Sequence, residues 1–349
     1  METEGRWGGR NNRNHRRKHK ALRKAIVEKK RSFTMRPWVL HVPFIREQTS
    51  GFPVRYYTHS FNVLDQWLGS LAQTSDDPCQ ELFWIIRKVA GAKALPGTRL
   101  LEQTYTLLSP EERNTVDKFV RKRSQGIPLG YVLGTVPFLQ ATIRVSPSVL
   151  IPRPETEEMT NLAIQAIRPL LRDRCQGSLW DMGTGSGCIA IACKMNLPSL
   201  KVTGSDISLS ALKTAQDNEE LNRVDITWEH IPFLNQPVDW MVTNLPYIPR
   251  NAPLPPSVAQ HEPSIALFGG ERGTELYERV LPTLHHYVCH TAWCEIGEDQ
   301  GHFLTSLMDT TYWKVSLKKD LFGKERFLVA QRRHETTDVM KSRRQTPQR

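Results

Sequence analysis

A heptapeptide with three alternate glycines, Asp181-Met182-Gly183-Thr184-Gly185-Ser186-Gly187, stands between the apolar run Ser178-Leu179-Trp180 and the small, apolar stretch Cys188-Ile189-Ala190-Ile191-Ala192-Cys193. Glycines so spaced let the backbone turn sharply and let a ligand lie against the main chain, where a side chain would collide. The order is strand, tight turn, buried helix, the opening unit of an α/β sheet. The next apolar run, Lys201 to Ser205, ends in Asp206. That is close to the spacing at which nucleotide-binding α/β folds hold ribose hydroxyls on a carboxylate. A later run, Val238 to Val242, delivers Asn244-Leu245-Pro246-Tyr247 at a strand's carboxyl end, where open parallel sheets bind ligands.

The glycine motif is not the dinucleotide form, because its third glycine comes one residue early, and no Gly-Lys-Ser/Thr follows to make a phosphate loop. Alone, such a turn is as readily structural as functional. Joined to Asp206 and to Asn-x-Pro-Tyr, it points to the class of methyltransferases that use S-adenosyl-L-methionine (SAM).

Further blocks narrow the reading. They are Leu150-Ile151-Pro152-Arg153-Pro154-Glu155-Thr156-Glu157, Ser205-Asp206-Ile207-Ser208, His261-Glu262-Pro263 through Phe268-Gly269-Gly270, Glu295-Ile296-Gly297, and Lys319-Asp320-Leu321-Phe322-Gly323-Lys324-Glu325-Arg326. Together with the glycine turn and Asn-x-Pro-Tyr-Ile, they resemble the HemK family of glutamine methyltransferases, in family order over roughly residues 125 to 332. The resemblance implies a Rossmann-like class I SAM-dependent methyltransferase domain of α/β fold, with a small N-terminal helical domain. It implies SAM as cofactor, leaving as S-adenosyl-L-homocysteine, and a class I peptide chain release factor as protein substrate, methylated on the glutamine of a Gly-Gly-Gln motif. The cofactor site expected is Asp181, Gly183, Thr184, Gly185, Gly187, Asp206 and Asn244. The substrate site expected is Asn244, Leu245, Pro246 and Tyr247 with Arg153, which is held stiffly between two prolines and could alternatively pair with Glu155. Two positions depart from the family pattern: Leu245 stands where the family has proline, and Glu229 or His230 where it usually has an aspartate near the adenine.

An amide nitrogen is a poor nucleophile because its lone pair is delocalised into the carbonyl. Methylation therefore calls for an NH2 group held in line with the methyl, with acceptors drawing on its two hydrogens. The Asn244 side-chain carbonyl and the Leu245 backbone carbonyl are two such acceptors for two donors. Pro246 stiffens the turn, and Tyr247 is expected as an aromatic wall. The exocyclic amine of adenine presents the same pair of N–H donors, and Asn-Leu-Pro-Tyr is similar to the motif of ribosomal-RNA adenine dimethyltransferases. A nucleic-acid amino methyltransferase is thus one alternative, and a non-catalytic protein that kept the fold is another.

Charge favours the protein substrate. Residues 1–36 hold 13 Lys or Arg against 3 Glu, so about +10 of the formal +11 lies there, and the rest of the chain is near neutral. An enzyme of RNA should instead carry basic charge around its cleft. The basic segment Arg13 to Arg31 is too poor in apolar residues to fold by itself. A chain begun at Met35 would carry arginines among apolar residues and no acid until Glu47, the composition of a mitochondrial targeting segment. The mitochondrion is the compartment expected, and the cytoplasm otherwise. No apolar run reaches the length of a membrane span, and no direct nucleic-acid substrate is expected.

The divisions expected are a basic extension over 1–55, a helical substrate-docking domain over 56–126, a two-stranded connector over 127–150, the methyltransferase domain over 151–333 and a disordered tail over 334–349. In the helical part, Asp77-Pro78 and Ser109-Pro110-Glu111-Glu112 are helix starts. In the connector, Ile127 to Gly134 and Phe138 to Val145 read as the two strands. The loop Pro249 to Pro263 reads as a semi-rigid lip. His285, His286, Cys289, His290 and Cys294 cross from a helix end into a strand, which scatters their side chains, so no metal site is expected.

Overall fold

The computed structural model of the protein describes residues 55–94, 101–172 and 176–333. The basic segment with Met35, Cys175 and the tail after Arg333 lie outside the described residues.

Helices α1 (Arg55–Leu71), α2 (Pro78–Ala90), α3 (Leu101–Leu107) and α4 (Pro110–Ser124) form a bundle. Its core joins Leu64, Trp67, Leu71, Leu82, Ile85, Ile86, Tyr105, Val116 and Val120. The caps are those the sequence predicts. Asp77 accepts from the Gln80 N–H at 3.0 Å, and Ser109 and Glu112 close a reciprocal capping box at the start of α4. Arg123 stands in the last turn of α4. It is buried, pairs with Glu81 at 2.7 Å and donates to the Thr74 carbonyl at 2.6 Å, so it ties α4 to the start of α2.

The connector differs from what the sequence predicts. Residues Leu129–Leu133 form a short helix, α5, which stops at Gly134 in the left-handed region with φ 71°. Five residues are too few for apolar periodicity to separate helix from strand. The two strands that do form are β1 (Thr135–Phe138) and β2 (Ala141–Arg144), paired antiparallel.

After α6 (Pro154–Arg172) the chain builds β3 (Gly177–Met182), α7 (Cys188–Asn196), β4 (Leu200–Ser205), α8 (Leu209–Asn222), β5 (Thr227–Glu229) and β6 (Val238–Thr243). There follow β7 (Ile248–Pro249), α9 (Pro256–His261), β8 (Phe268–Gly270), α10 (Glu275–Val280), α11 (Leu284–Tyr287), β9 (Val288–Glu295), α12 (Gly301–Ser306), β10 (Trp313–Lys319) and β11 (Glu325–Arg332). Seven strands make one sheet in the order β10-β11-β9-β6-β3-β4-β5. Strands β5, β4, β3, β6 and β9 are parallel, and β11 runs antiparallel to both β9 and β10. This is the class I methyltransferase form of the Rossmann-like fold.

The central strands are apolar on both faces because both are covered. Leu179, Trp240, Val242 and Trp293 face α6, α7 and α8, while Trp180, Met182, Met241 and Cys294 face α10 and α11. Strand β10 was not evident in the sequence, since Trp313-Lys314-Val315-Ser316-Leu317-Lys318-Lys319 alternates with lysine and serine, as an exposed edge strand does.

One side chain fastens the β1–β2 hairpin to the glycine turn. Asn218, fully buried on α8, accepts from the Arg144 N–H at 2.7 Å and donates to the carbonyls of Arg144 at 3.0 Å and Ser186 at 2.9 Å. Truncating it leaves buried backbone groups without partners. Asn218→Ala is expected to lower stability by about 1–3 kcal/mol, read from urea denaturation of the full chain.

Candidate active site

The strand order reverses between β3 and β6, with β4 and β5 on one side and β9 on the other. Loops leaving the carboxyl ends of two such strands diverge and open a crevice. Here it is a cavity of about 390 Å³. From β3 it takes Gly183, Thr184 and Gly185, from β4 Asp206 and Ile207, and from β6 Asn244, Leu245 and Pro246. Thr156, Phe233, Ile265 and Leu276 add further walls.

The glycine turn bends where the sequence predicts, with φ of 70°, 53° and 80° at Gly183, Gly185 and Gly187. Gly183 has a second reason to lack a side chain, since a Cβ there would lie 2.9 Å from the Leu245 side chain. The Thr184 N–H donates to the Ser205 carbonyl at 2.8 Å, and the Gly185 N–H donates to Asp206 Oδ2 at 2.9 Å. The other Asp206 oxygen accepts from the Ser208 N–H at 2.9 Å. Burial raises the Asp206 pKa, while these N–H groups and His230 oppose the rise. Each oxygen keeps a lone pair for a hydroxyl in the cavity.

The cavity fits a nucleoside with a short charged chain. It offers bare backbone at Gly183 and Gly185, a carboxylate at Asp206, and apolar walls at Ile207 and Phe233 for a flat ring. Neither Glu229 nor His230 lines it. The His230 ring nitrogen instead bonds the Ile207 carbonyl at 2.9 Å. Phe233 lies in a loop without regular structure, so no periodicity marked it.

Four residues expected in the site stand behind or beside it. Asp181 is fully buried behind the turn, where Oδ2 accepts from Thr184 Oγ1 at 2.6 Å and the Ala190 N–H at 3.1 Å. Gly187 is the cap of α7 and does not line the cavity. Arg153 does not line it either. Its guanidinium is committed at 2.5 Å to Glu262, which also accepts from the Ile151 N–H at 3.2 Å, so it pairs with Glu262 and not Glu155. Tyr247 does not line the cavity, and its hydroxyl donates to Glu295 Oε1 at 3.0 Å. The expected lip from Pro249 to Pro263 contains α9 and ends in this anchored Glu262.

The corner after β6 is polar and closely held. Asn244 Nδ2 donates to Thr156 Oγ1 at 2.9 Å, and Thr156 Oγ1 donates to Glu295 Oε2 at 2.6 Å. Glu295 is buried, which raises its pKa, while Thr156, Tyr247 and Arg326 oppose the rise. The Leu245 N–H donates to the Tyr277 hydroxyl at 3.3 Å, and that hydroxyl donates to the Glu295 backbone carbonyl. Among the described residues, nothing donates to Asn244 Oδ1 or to the Leu245 carbonyl. Gly269 packs so tightly beneath this corner that a Cβ would collide with the Pro246 carbonyl oxygen. Thr156, Glu262, Glu295 and Tyr277 are the site's supports that sequence reasoning did not single out by role. Among the described residues, no cluster of His, Cys, Asp and Glu is placed to hold a metal.

Comparison with known proteins extends the pattern. The family model described as Ribosomal protein L11 methyltransferase (PrmA) matches residues 156–245, from the start of α6 to the corner after β6. The Release factor glutamine methyltransferase of Thermosynechococcus vestitus is 35% identical over 229 residues, 62% of this chain and 78% of that protein. The protein of the same name from Bacillus anthracis is 32% identical over 246 residues, 67% of this chain and 87% of its own. That from Chlamydia trachomatis serovar D is 34% identical over 227 residues, 63% of this chain and 77% of its own.

Asp181 yields a pH test of the turn's support. Burial pushes its pKa from 3.8 up to about 7, against the hydrogen bonds from Thr184 and Ala190. The folded chain thus keeps a proton that the unfolded chain gives up near pH 4. Stability therefore falls as pH rises through the window from about 4 to about 7, and the loss is complete above it. An asparagine cannot titrate. The denaturation midpoint of Asp181→Asn is expected to gain on that of the wild type between pH 5 and pH 8.

Proposed function

The chain belongs to the HemK family of release factor glutamine methyltransferases, and from that premise we propose that it transfers a methyl group from SAM to the side-chain amide nitrogen of the glutamine in the Gly-Gly-Gln motif of a class I release factor. The observation that carries this reading is the pair of unpartnered acceptors, Asn244 Oδ1 and the Leu245 carbonyl, beside a cavity that ends in a glycine turn and Asp206.

Gly183, Gly185 and Asp206 hold the cofactor, with Ile207 and Phe233 against its ring. When bound, SAM supplies an electrophilic methyl on a sulfonium sulfur. The two acceptors take the two N–H donors of the glutamine amide and fix its plane. They also keep electron density on nitrogen. No strong base is required before transfer, because the methylated nitrogen is acidic enough to lose its proton afterwards. The work of the site is positioning, for which effective-molarity arguments allow about 7–11 kcal/mol.

A protein substrate is favoured over RNA by the near-neutral charge of residues 37–349. The proposed compartment is the mitochondrion, supported by the arginines and the lack of acids between Met35 and Glu47. A tagged chain started at Met1 or at Met35 that stays in the cytosol would remove that part of the reading.

Incubation with methyl-labelled SAM and either purified release factor or ribosomal RNA separates the candidates, with label expected on the protein alone. Asn244→Ala is expected to lower turnover by about 10²–10³ with SAM affinity little changed. Asp206→Ala is expected to do the reverse, weakening SAM binding first. Normal turnover in Asn244→Ala would mean that the nucleophile is held elsewhere.

A further inference from the structure

An asparagine side chain has nearly the same shape whichever way its amide is turned, so packing cannot choose between the two orientations. Only the polarity of its hydrogen-bond partners can. The choice matters at Asn244. With Oδ1 toward the cavity, it accepts from a substrate NH2. With Nδ2 toward the cavity, two donors face each other and no bond forms.

We propose that Thr156 and Glu295 are positioning residues that set the Asn244 amide through a one-way hydrogen-bond chain, keeping its carbonyl oxygen toward the substrate nitrogen. The chain starts from Glu295, at the end of β9. Its carboxylate is only an acceptor, and both oxygens are in use, Oε2 by Thr156 Oγ1 at 2.6 Å and Oε1 by the Tyr247 hydroxyl at 3.0 Å. Thr156 has one hydroxyl proton and gives it to Glu295. Toward Asn244 its oxygen can then only accept, so Asn244 must offer Nδ2, as it does at 2.9 Å. The remaining fork of the amide, Oδ1, is left for the cavity that Asn244 lines. Thr156 and Glu295 are 3% and 1% exposed, so little of this chain is open to competing donors from water. Packing alone would be served as well by valine at 156 and glutamine at 295. The direction of the chain would not.

The inference rests on the reading of Asn244 as an acceptor for the substrate amide. Its test compares Thr156→Val, Thr156→Ser, Asn244→Asp and the double variant that joins Asn244→Asp to Glu295→Gln, with kcat and KM for release factor and calorimetric affinity for SAM. Thr156→Val is expected to lose about 10² in kcat with SAM affinity unchanged. Thr156→Ser, which keeps the hydroxyl, should stay near wild type. Asn244→Asp sets an acceptor against the Thr156 acceptor and should be nearly inactive. Adding Glu295→Gln supplies a donor to Thr156, frees its proton for the carboxylate introduced at position 244 and should restore part of the lost turnover. A double variant no better than Asn244→Asp, or a Thr156→Val enzyme with full kcat, overturns the proposal. The orientation is also read without turnover, from the nuclear Overhauser contact between the Asn244 side-chain NH2 and the Thr156 methyl in isotope-labelled wild type. If that contact is present but the wild type does not methylate release factor, the functional reading fails and the chain's direction stands. If the contact is absent, the direction is wrong.

Discussion

Strands β3 and β6 lie side by side and parallel, with Leu179 opposite Trp240 and Met182 opposite Thr243. The chain reaches β6 only after building β4 and β5 on the far side of β3, so the loops after β3 and β6 turn away from each other. Everything in the site follows from that adjacency. The turn after β3 brings bare backbone, the corner after β6 brings two carbonyl oxygens, and the Leu245 side chain closes the gap by resting on Gly183. Thr243 Oγ1 bonds the Met182 carbonyl at 2.6 Å, which locks the two strand ends at the point where the loops part.

Behind this crevice the protein places carboxylates away from water, each for a different purpose. Asp181 holds the turn from beneath, Glu262 gathers Arg153 and the Ile151 N–H, and Glu295 gathers Thr156 and Tyr247. A buried carboxylate is costly unless its lone pairs are used. For Glu262 and Glu295 the donors come from segments far apart in sequence, so the cost is offset only once the sheet is assembled, whereas the donors to Asp181, Thr184 and Ala190, are local. These groups therefore make the site conditional on the complete fold, which suits a reaction whose catalysis is geometric.

The path of the sheet was legible because β3 and β6 are buried on both faces and, with the more exposed β4, read as short runs ending in glycine, aspartate or asparagine. That several of those end residues share one cavity follows from the parallel order alone. The short helix α5 and the lysine-bearing edge strand β10 were not legible, since neither is long enough or apolar enough to impose a period. The polar supports were invisible for another reason. Thr156 and Glu295 are 139 residues apart and Arg153 and Glu262 are 109 apart, and no local pattern encodes such pairs. Tyr247 and Arg153 were drawn into the expected site by their neighbours in sequence, whereas their side chains are spent on Glu295 and Glu262.

Leucine at position 245, where the family pattern has proline, brings a backbone N–H into a buried corner and gives up a preset φ. An unpaired N–H there would be a real cost. The Tyr277 hydroxyl removes it by accepting from Leu245 and donating to the Glu295 backbone carbonyl. The leucine side chain is 6% exposed and lies against Gly183, so packing replaces part of the stiffness that a pyrrolidine ring would give. The proposed transfer uses the carbonyl at this position, and that group is the same in leucine and proline. The substitution thus leaves the carbonyl of the corner in place, and the fold already contains the hydroxyl that makes it tolerable.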